Sequence, residues 1–202
     1  MPIRVPLEVH AITVVVLEQR IEARQIRVGP TMTTRNERVT SRREVPPRLD
    51  RTSFDSALRY SNNVFAPADI QFFVSSFAAA TEEIPNGAEQ VNFNGFQYLV
   101  GRFPPRSGLS VLLVSDFERA DLGGQAVEAQ SACIVCALGD PATGKVLAHE
   151  LAHLMALPHV ATSSPRAHWN LMYPALRAGD ELTAAQISVA RSSRAGCRFG
   201  GP

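Results

Sequence analysis

The stretch His149-Glu150-Leu151-Ala152-His153 constrains this chain more than any other, because Pro158 and a third histidine, His159, stand just beyond it. On a helix, residues at i and i+4 share one face, so His149 and His153 would lie about 6 Å apart along the axis with both imidazoles pointing the same way. A helix that ran on to His159 would rotate that side chain by about 600° from His153, away from the shared face. If the three rings are to meet, the helix has to stop between the second and the third. Pro158 is the expected breaker, since it lacks an N–H and disfavours helical geometry at Leu157.

This arrangement points to metal chemistry. One zinc ion can bind both i, i+4 imidazoles at about 2.0–2.1 Å, and His159, swung back by the turn, supplies a third ligand. Three histidines plus one water make an open tetrahedral site, which is the catalytic type rather than the structural type. Glu150 comes directly after His149 and is rotated by about 100° around the helix, so it is not a comfortable ligand beside them. It is placed instead to take a proton from a water that zinc acidifies towards about pH 7, as a general base. HExxH alone is a moderately specific pattern; the added histidine sharpens it.

The remainder of the chain suggests an α+β or α/β fold. Its 202 residues suit one domain, and a hydrophobic share of 45% supplies a core. Residues 7–18 read as a first strand, 70–77 as a second and 109–115 as a central one with a continuous apolar run. Residues 91–100 carry a weaker strand pattern, and 126–138 hold two short strands or one bent one. Helices are expected from Thr52 or Ser53 to about Val64, from about Thr143 to Ala156, and after Leu182 with Thr183 as cap and Ile187, Val189 and Ala190 packing inward. Asp140 or Thr143 is the expected cap of the second. Residues 29–50, polar and containing Pro30, Pro46 and Pro47, read as a long loop, and 160–179 as irregular.

Charge and cysteine content narrow the partners. A formal net charge of +1 gives no general case for nucleic acid or an anionic membrane. The arginines between Arg20 and Arg51 are interspersed with acids and read as a solvated loop or sheet edge. No segment offers the roughly 20 apolar residues a membrane span needs. The apolar run at 11–17 is flanked by Glu8 and Glu18 and lacks a small-residue cleavage site, so it reads as a buried strand rather than a signal peptide. Cys133 and Cys136 form a C-x-x-C pair, but their apolar flanks place them on a strand, where they face opposite ways and can share neither a disulfide nor a metal. Buried free thiols are expected, with Cys197 as the one conceivable partner. His10 reads as a satisfied core histidine and His168 as loop surface.

The motif His149-Glu150-x-x-His153-x-x-Ala156-x-x-His159, with Asn170-Leu171-Met172-Tyr173-Pro174 further on, resembles the metzincin clan of zinc metalloproteases, and most of all its compact, matrixin-like bacterial members. Residues 65–72 resemble the end of the family's first helix running into its second strand, and 182–191 its C-terminal helix. The resemblance implies a twisted mixed sheet, an active-site helix, a cleft, and a small C-terminal subdomain ending in a helix. It divides a single domain, 1–202, into an upper part (1–159) with sheet and zinc helix and a lower part (160–202) with a methionine turn, in which Met172 lies under the zinc site without binding it. The family's glycine is Ala156 here, and alanine in a left-handed conformation costs about 1 kcal/mol, so Pro158 is expected to supply part of the turn. Tyr173 comes one residue after the methionine and does not match the tyrosine that serves some branches as an extra ligand.

The resemblance implies peptide-bond hydrolysis by a monomer: zinc on His149, His153 and His159, Glu150 as general base, a protein or peptide substrate extended along an edge strand within 125–130, and residues 160–179 shaping the pocket beyond the cleaved bond. Arg177, near that pocket, reads as solvated surface. Two rival expectations stand beside it: a non-catalytic zinc module that binds peptides or proteins, and a zinc amidase acting on a non-peptide amide.

Overall fold

The computed structural model describes residues 2–28, 31–84, 90–118, 123–164, 166–175 and 179–193. The chain forms a mixed sheet with helices on both faces, in the order β1 (Ile3–Val28), β2 (Thr31–Val45), α1 (Arg51–Phe65), β3 (Ile70–Glu83), α2 (Phe93–Arg102), β4 (Leu109–Val114), β5 (Gly124–Val127), β6 (Ala132–Cys136), α3 (Ala142–Leu154) and α4 (Ala184–Ser192). Strand β1 pairs in parallel with β3 on one side and with β4 on the other; β6 runs parallel to β4, and β5 closes that edge antiparallel to β6. The fold is α+β, as expected. Strand β4 is central and buried at every position, as its unbroken apolar run requires of a parallel strand covered on both faces.

Alternation along the strands divides the core in two. Val5, Leu7 and Val9 of β1, Val111 and Leu113 of β4 and Cys133 and Val135 of β6 face α1 and α3. Ile12 and Val14 of β1, Leu112 and Val114 of β4 and Ile134 and Cys136 of β6 face the other way, towards Phe96, Leu99 and Val100 of α2. The two cysteines therefore lie on opposite faces, both buried and free; Cys197 lies outside the described residues.

Several local expectations are corrected. Residues 31–45, expected in a loop, form β2, which pairs antiparallel with β1 from Val14 to Val28. The β-branched residues Thr31, Thr33, Thr34, Val39, Thr40 and Val45 carry the strand, and the charges between them mask it in the sequence because no position is buried. The first strand is accordingly longer than 7–18. Residues 93–102 are helix, not strand: Asn92 caps it, accepting the Gly95 N–H at 2.9 Å, and Phe96, Leu99 and Val100 have helical spacing. Helix α1 is capped by Asp50, which accepts the Ser53 N–H at 2.7 Å, not by Thr52 or Ser53. Helix α4 has the expected Thr183 cap, reinforced by Gln186 in a capping box; Ile187 and Ala190 pack inward, but Val189 is 42% exposed. His10 stacks on Phe103 at 4.9 Å, and its buried Nε2 has no hydrogen-bond partner among the described residues, so it is not the satisfied core histidine expected. No described helix is long and apolar enough to cross a membrane.

Candidate metal centre

Helix α3 lies across the sheet with Val146, Leu147, Ala148, Leu151 and Ala152 in the core. It starts without a side-chain cap on its first N–H groups: the N-cap is Pro141, and neither Asp140 nor Thr143 takes the expected role. Thr143 instead accepts the Leu138 N–H at 2.9 Å, tying the helix start to the end of β6. With the core face fixed this way, His149 and His153 turn towards a cleft of ≈ 750 Å³ that His159 and Glu150 also line.

The helix stops between His153 and His159, but at Ala156 rather than at Pro158. Ala156 has φ +64°. Its N–H bonds to the His153 carbonyl at 2.9 Å, and the Leu157 N–H reaches the Ala152 carbonyl at 3.0 Å. This pair of bonds is a Schellman motif, in which a left-handed residue satisfies the last helical carbonyls. Alanine thus adopts the conformation that glycine takes at lower cost, and Pro158 only comes after a turn already made.

The turn delivers His159 to its partners. Its Nε2 lies 3.1 Å from Nε2 of His149 and 3.2 Å from Nε2 of His153, and the three ligand nitrogens all fall within 4.8 Å of one another. The other ring nitrogens fix the tautomers. Nδ1–H of His149 donates to the Leu171 carbonyl at 2.7 Å, and Nδ1–H of His153 donates to the Leu157 carbonyl at 2.9 Å. A carbonyl only accepts, so both Nδ1 atoms carry the proton and both Nε2 atoms present a lone pair. A proton on Nε2 of His159 can point at one of those lone pairs, not both, whereas one cation attracts all three. The short separations also approach the edge of a tetrahedron with 2.0–2.1 Å bonds, about 3.3 Å. The triad can therefore hold a metal ion, and carbonyl-bound Nδ1 atoms are the support such ligands ordinarily have.

Electrostatics favour neutral imidazoles. Burial lowers the pKa of His149, the His159 ring adding to the effect and the Leu171 carbonyl opposing it. Burial, then His149 and His159, push His153 down to about 4 against the Leu157 carbonyl. Glu150, 6% exposed, is raised to about 8 by burial. Cys133, beneath it on β6, is raised well above its ordinary value by burial and by the Glu150 charge, and stays a protonated thiol.

Other expectations resolve around this cleft. Strand β5 is the sheet edge beside it, with Gly124, Gln125 and Ala126 lining the wall; the strand ends at Val127, and residues 128–130 form a 3-10 helix of which Glu128 also lines the cleft. Of 160–179, Pro174 and Ala175 line the cleft; Arg177 lies outside the described residues. His168 is exposed against Trp169 and takes no part. Met172 is fully buried in the core cluster that contains Leu147 and Leu151, and its carbonyl accepts the Val160 N–H at 2.9 Å. Two participants went unread in the sequence: the carbonyls of Leu157 and Leu171, which as backbone groups leave no trace in residue identity.

Strands β3-β1-β4-β6-β5, with β5 as the antiparallel edge beside the helix that bears two of the three histidines, make an α+β fold found among solved structures. Archaemetzincin from Methanopyrus kandleri shares it, with a TM-score of 0.52 at 16% sequence identity, covering 71% of this chain and 88% of that one. A structure described as a chaperone–substrate complex superposes with a TM-score of 0.49 at 10% identity, over 81% of this chain and 40% of that one. No protein-family profile matches the sequence, and no curated protein matches it.

Proposed function

We propose that this protein is a zinc-dependent endopeptidase in which His149, His153 and His159 hold the metal and Glu150 is the general base. The observation that carries the reading is the convergence of three Nε2 atoms, two with their lone pairs directed inward by carbonyl-bound Nδ1–H groups, in an open cleft that also contains a buried carboxyl group. Zinc bound there would supply the charge that acidifies a water molecule and polarises a scissile carbonyl. A divalent charge in the cleft favours the ionised form of Glu150 against the burial that opposes it. Glu150 then accepts a proton from water and returns it to the leaving amine.

The free edge of β5 supports a peptide substrate. Among the described residues it pairs with β6 alone, so its outer N–H and C=O groups can take an extended chain as an added strand. A fully buried Met172 in the core cluster with Leu147 and Leu151 fits this reading, and the division into a sheet-bearing upper part and a lower part carrying the Met172 turn belongs to it too.

The test is cleavage of a mixed peptide library by zinc-loaded protein, with Glu150→Ala as control. Cleavage that disappears in the variant while zinc stays bound supports the assignment. A wild-type protein that binds zinc and cuts no peptide would sink it in favour of a binding module, and one that cuts only acyl amides would favour an amidase.

A further inference from the structure

Strand β5 begins with a glycine whose backbone asks for no glycine. Gly124 sits in ordinary strand pairing opposite Val135, where any L-residue is comfortable and glycine weakens the strand. Space is what the position lacks. A Cβ added to Gly124 would lie 2.6 Å from Cγ of Glu150, 2.9 Å from its Oε1 and 2.8 Å from Cγ1 of Val146.

Neither backbone can retreat from such an atom. The Gly123 carbonyl accepts the Cys136 N–H at 3.0 Å, and the ladder continues through β6, a strand buried at every position. Opposite, α3 is held by Leu147, Ala148 and Leu151 in the core. The Glu150 side chain is what can yield, and it can only rotate within the cleft it lines.

We propose that Gly124 is a positioning residue: the missing side chain on the edge strand sets where the Glu150 carboxylate stands in the cleft. This rests on Glu150 being the base. The strand against which an extended substrate would pair is then also the wall that aims the proton acceptor, so substrate and base share one reference surface. A displacement of about 1 Å in such a group costs on the order of 10²-fold in rate.

Two readouts test it. The first is a double-mutant cycle on urea midpoints, with Gly124→Ala made in the wild type and in Glu150→Ala. The midpoint is expected to fall in the wild-type background, and most of that fall to vanish once Glu150 is truncated, the remainder belonging to Val146. The second is the zinc-loaded Gly124→Ala protein on a cleaved peptide: kcat down on the order of 10²-fold, with KM and zinc stoichiometry unchanged. Equal midpoint losses in both backgrounds, no loss in either, or a rate loss explained by KM or by missing zinc would overturn the proposal. If Gly124→Ala does not fold alone, recovery of folding in the double variant supports the collision with Glu150, and failure of both overturns it. A wild type without peptidase activity refutes the endopeptidase reading, while the midpoint cycle still reports whether Gly124 and Glu150 are coupled.

Discussion

The side-chain amides of Asn170 and Gln186 bond to each other twice, Nδ2–H of Asn170 to Oε1 of Gln186 at 2.8 Å and Nε2–H of Gln186 to Oδ1 of Asn170 at 3.0 Å. Each has a second duty. Oδ1 of Asn170 also accepts the Met172 N–H at 2.9 Å, and Oε1 of Gln186 accepts the Thr183 N–H at 2.9 Å. The start of α4 is thereby wired to the turn whose Leu171 carbonyl orients His149.

Removing this pair should loosen both ends. Asn170→Ala leaves the buried Met172 N–H without its acceptor, at a cost of about 1–3 kcal/mol. With the Leu171 carbonyl less firmly held, zinc affinity should fall about 10- to 100-fold. Urea unfolding and a chelator competition read the two effects separately, and unchanged affinity would mean that Leu171 holds His149 without help.

Ala156 carries a strain that glycine would release. Ala156→Gly should raise stability by about 0.5 kcal/mol, the left-handed penalty less the added backbone entropy of the unfolded chain. For a chain of this size that is a rise in Tm of about 1–2 °C. A fall in Tm on calorimetry would show that the turn prefers its Cβ.

Acid should weaken the fold through Glu8. Burial works against its ionisation, but the N–H and hydroxyl of Ser107, the N–H of Arg106 and the charge of His10 outweigh it and hold the carboxyl below its ordinary value. Its Oε1 accepts at 2.9 Å from Arg106 and at 2.6 and 3.1 Å from Ser107. A folded value lower than the unfolded one gives stabilisation that is complete above the ordinary glutamate range, about 4.3, and is lost as pH falls through the lowered value. Glu8→Gln should therefore cost about 1–3 kcal/mol at pH 7, with the deficit shrinking below about pH 4. A deficit independent of pH would place its origin in packing.

Metal binding should be visible as stability. Zinc at about 1,000 times its dissociation constant adds about 4 kcal/mol, or about 8–16 °C in Tm, and a chelator should reverse it. His159→Ala, which removes the exposed member of the triad, should abolish most of the rise. An equal rise in that variant would mean zinc binds elsewhere.

The centre was legible in sequence because its logic is local: i, i+4 spacing puts His149 and His153 on one face by helix geometry alone, and His159 requires a turn. The turn itself was misplaced. Proline is the visible breaker, whereas an alanine at positive φ gives no signal in its identity. The strand at 31–45 was missed for a different reason. A strand with no buried face has no apolar alternation to display, and its pairing with β1 is a property of two segments together. The helix at 93–102 is ambiguous in sequence because a short apolar run fits either period, and what decides it is the Asn92 cap on the Gly95 N–H.

That unburied pair of strands has a kinetic consequence. Beyond Val16, β1 and β2 pair with each other and, among the described residues, with no other strand, and a lone two-stranded ribbon is marginally stable in water. Its amide protons will exchange with solvent by local unzipping, at rates independent of the core, while those of β4 wait for the whole sheet to open. The ribbon is in effect a separate cooperative unit, free to gain or lose residues without any change reaching the histidines.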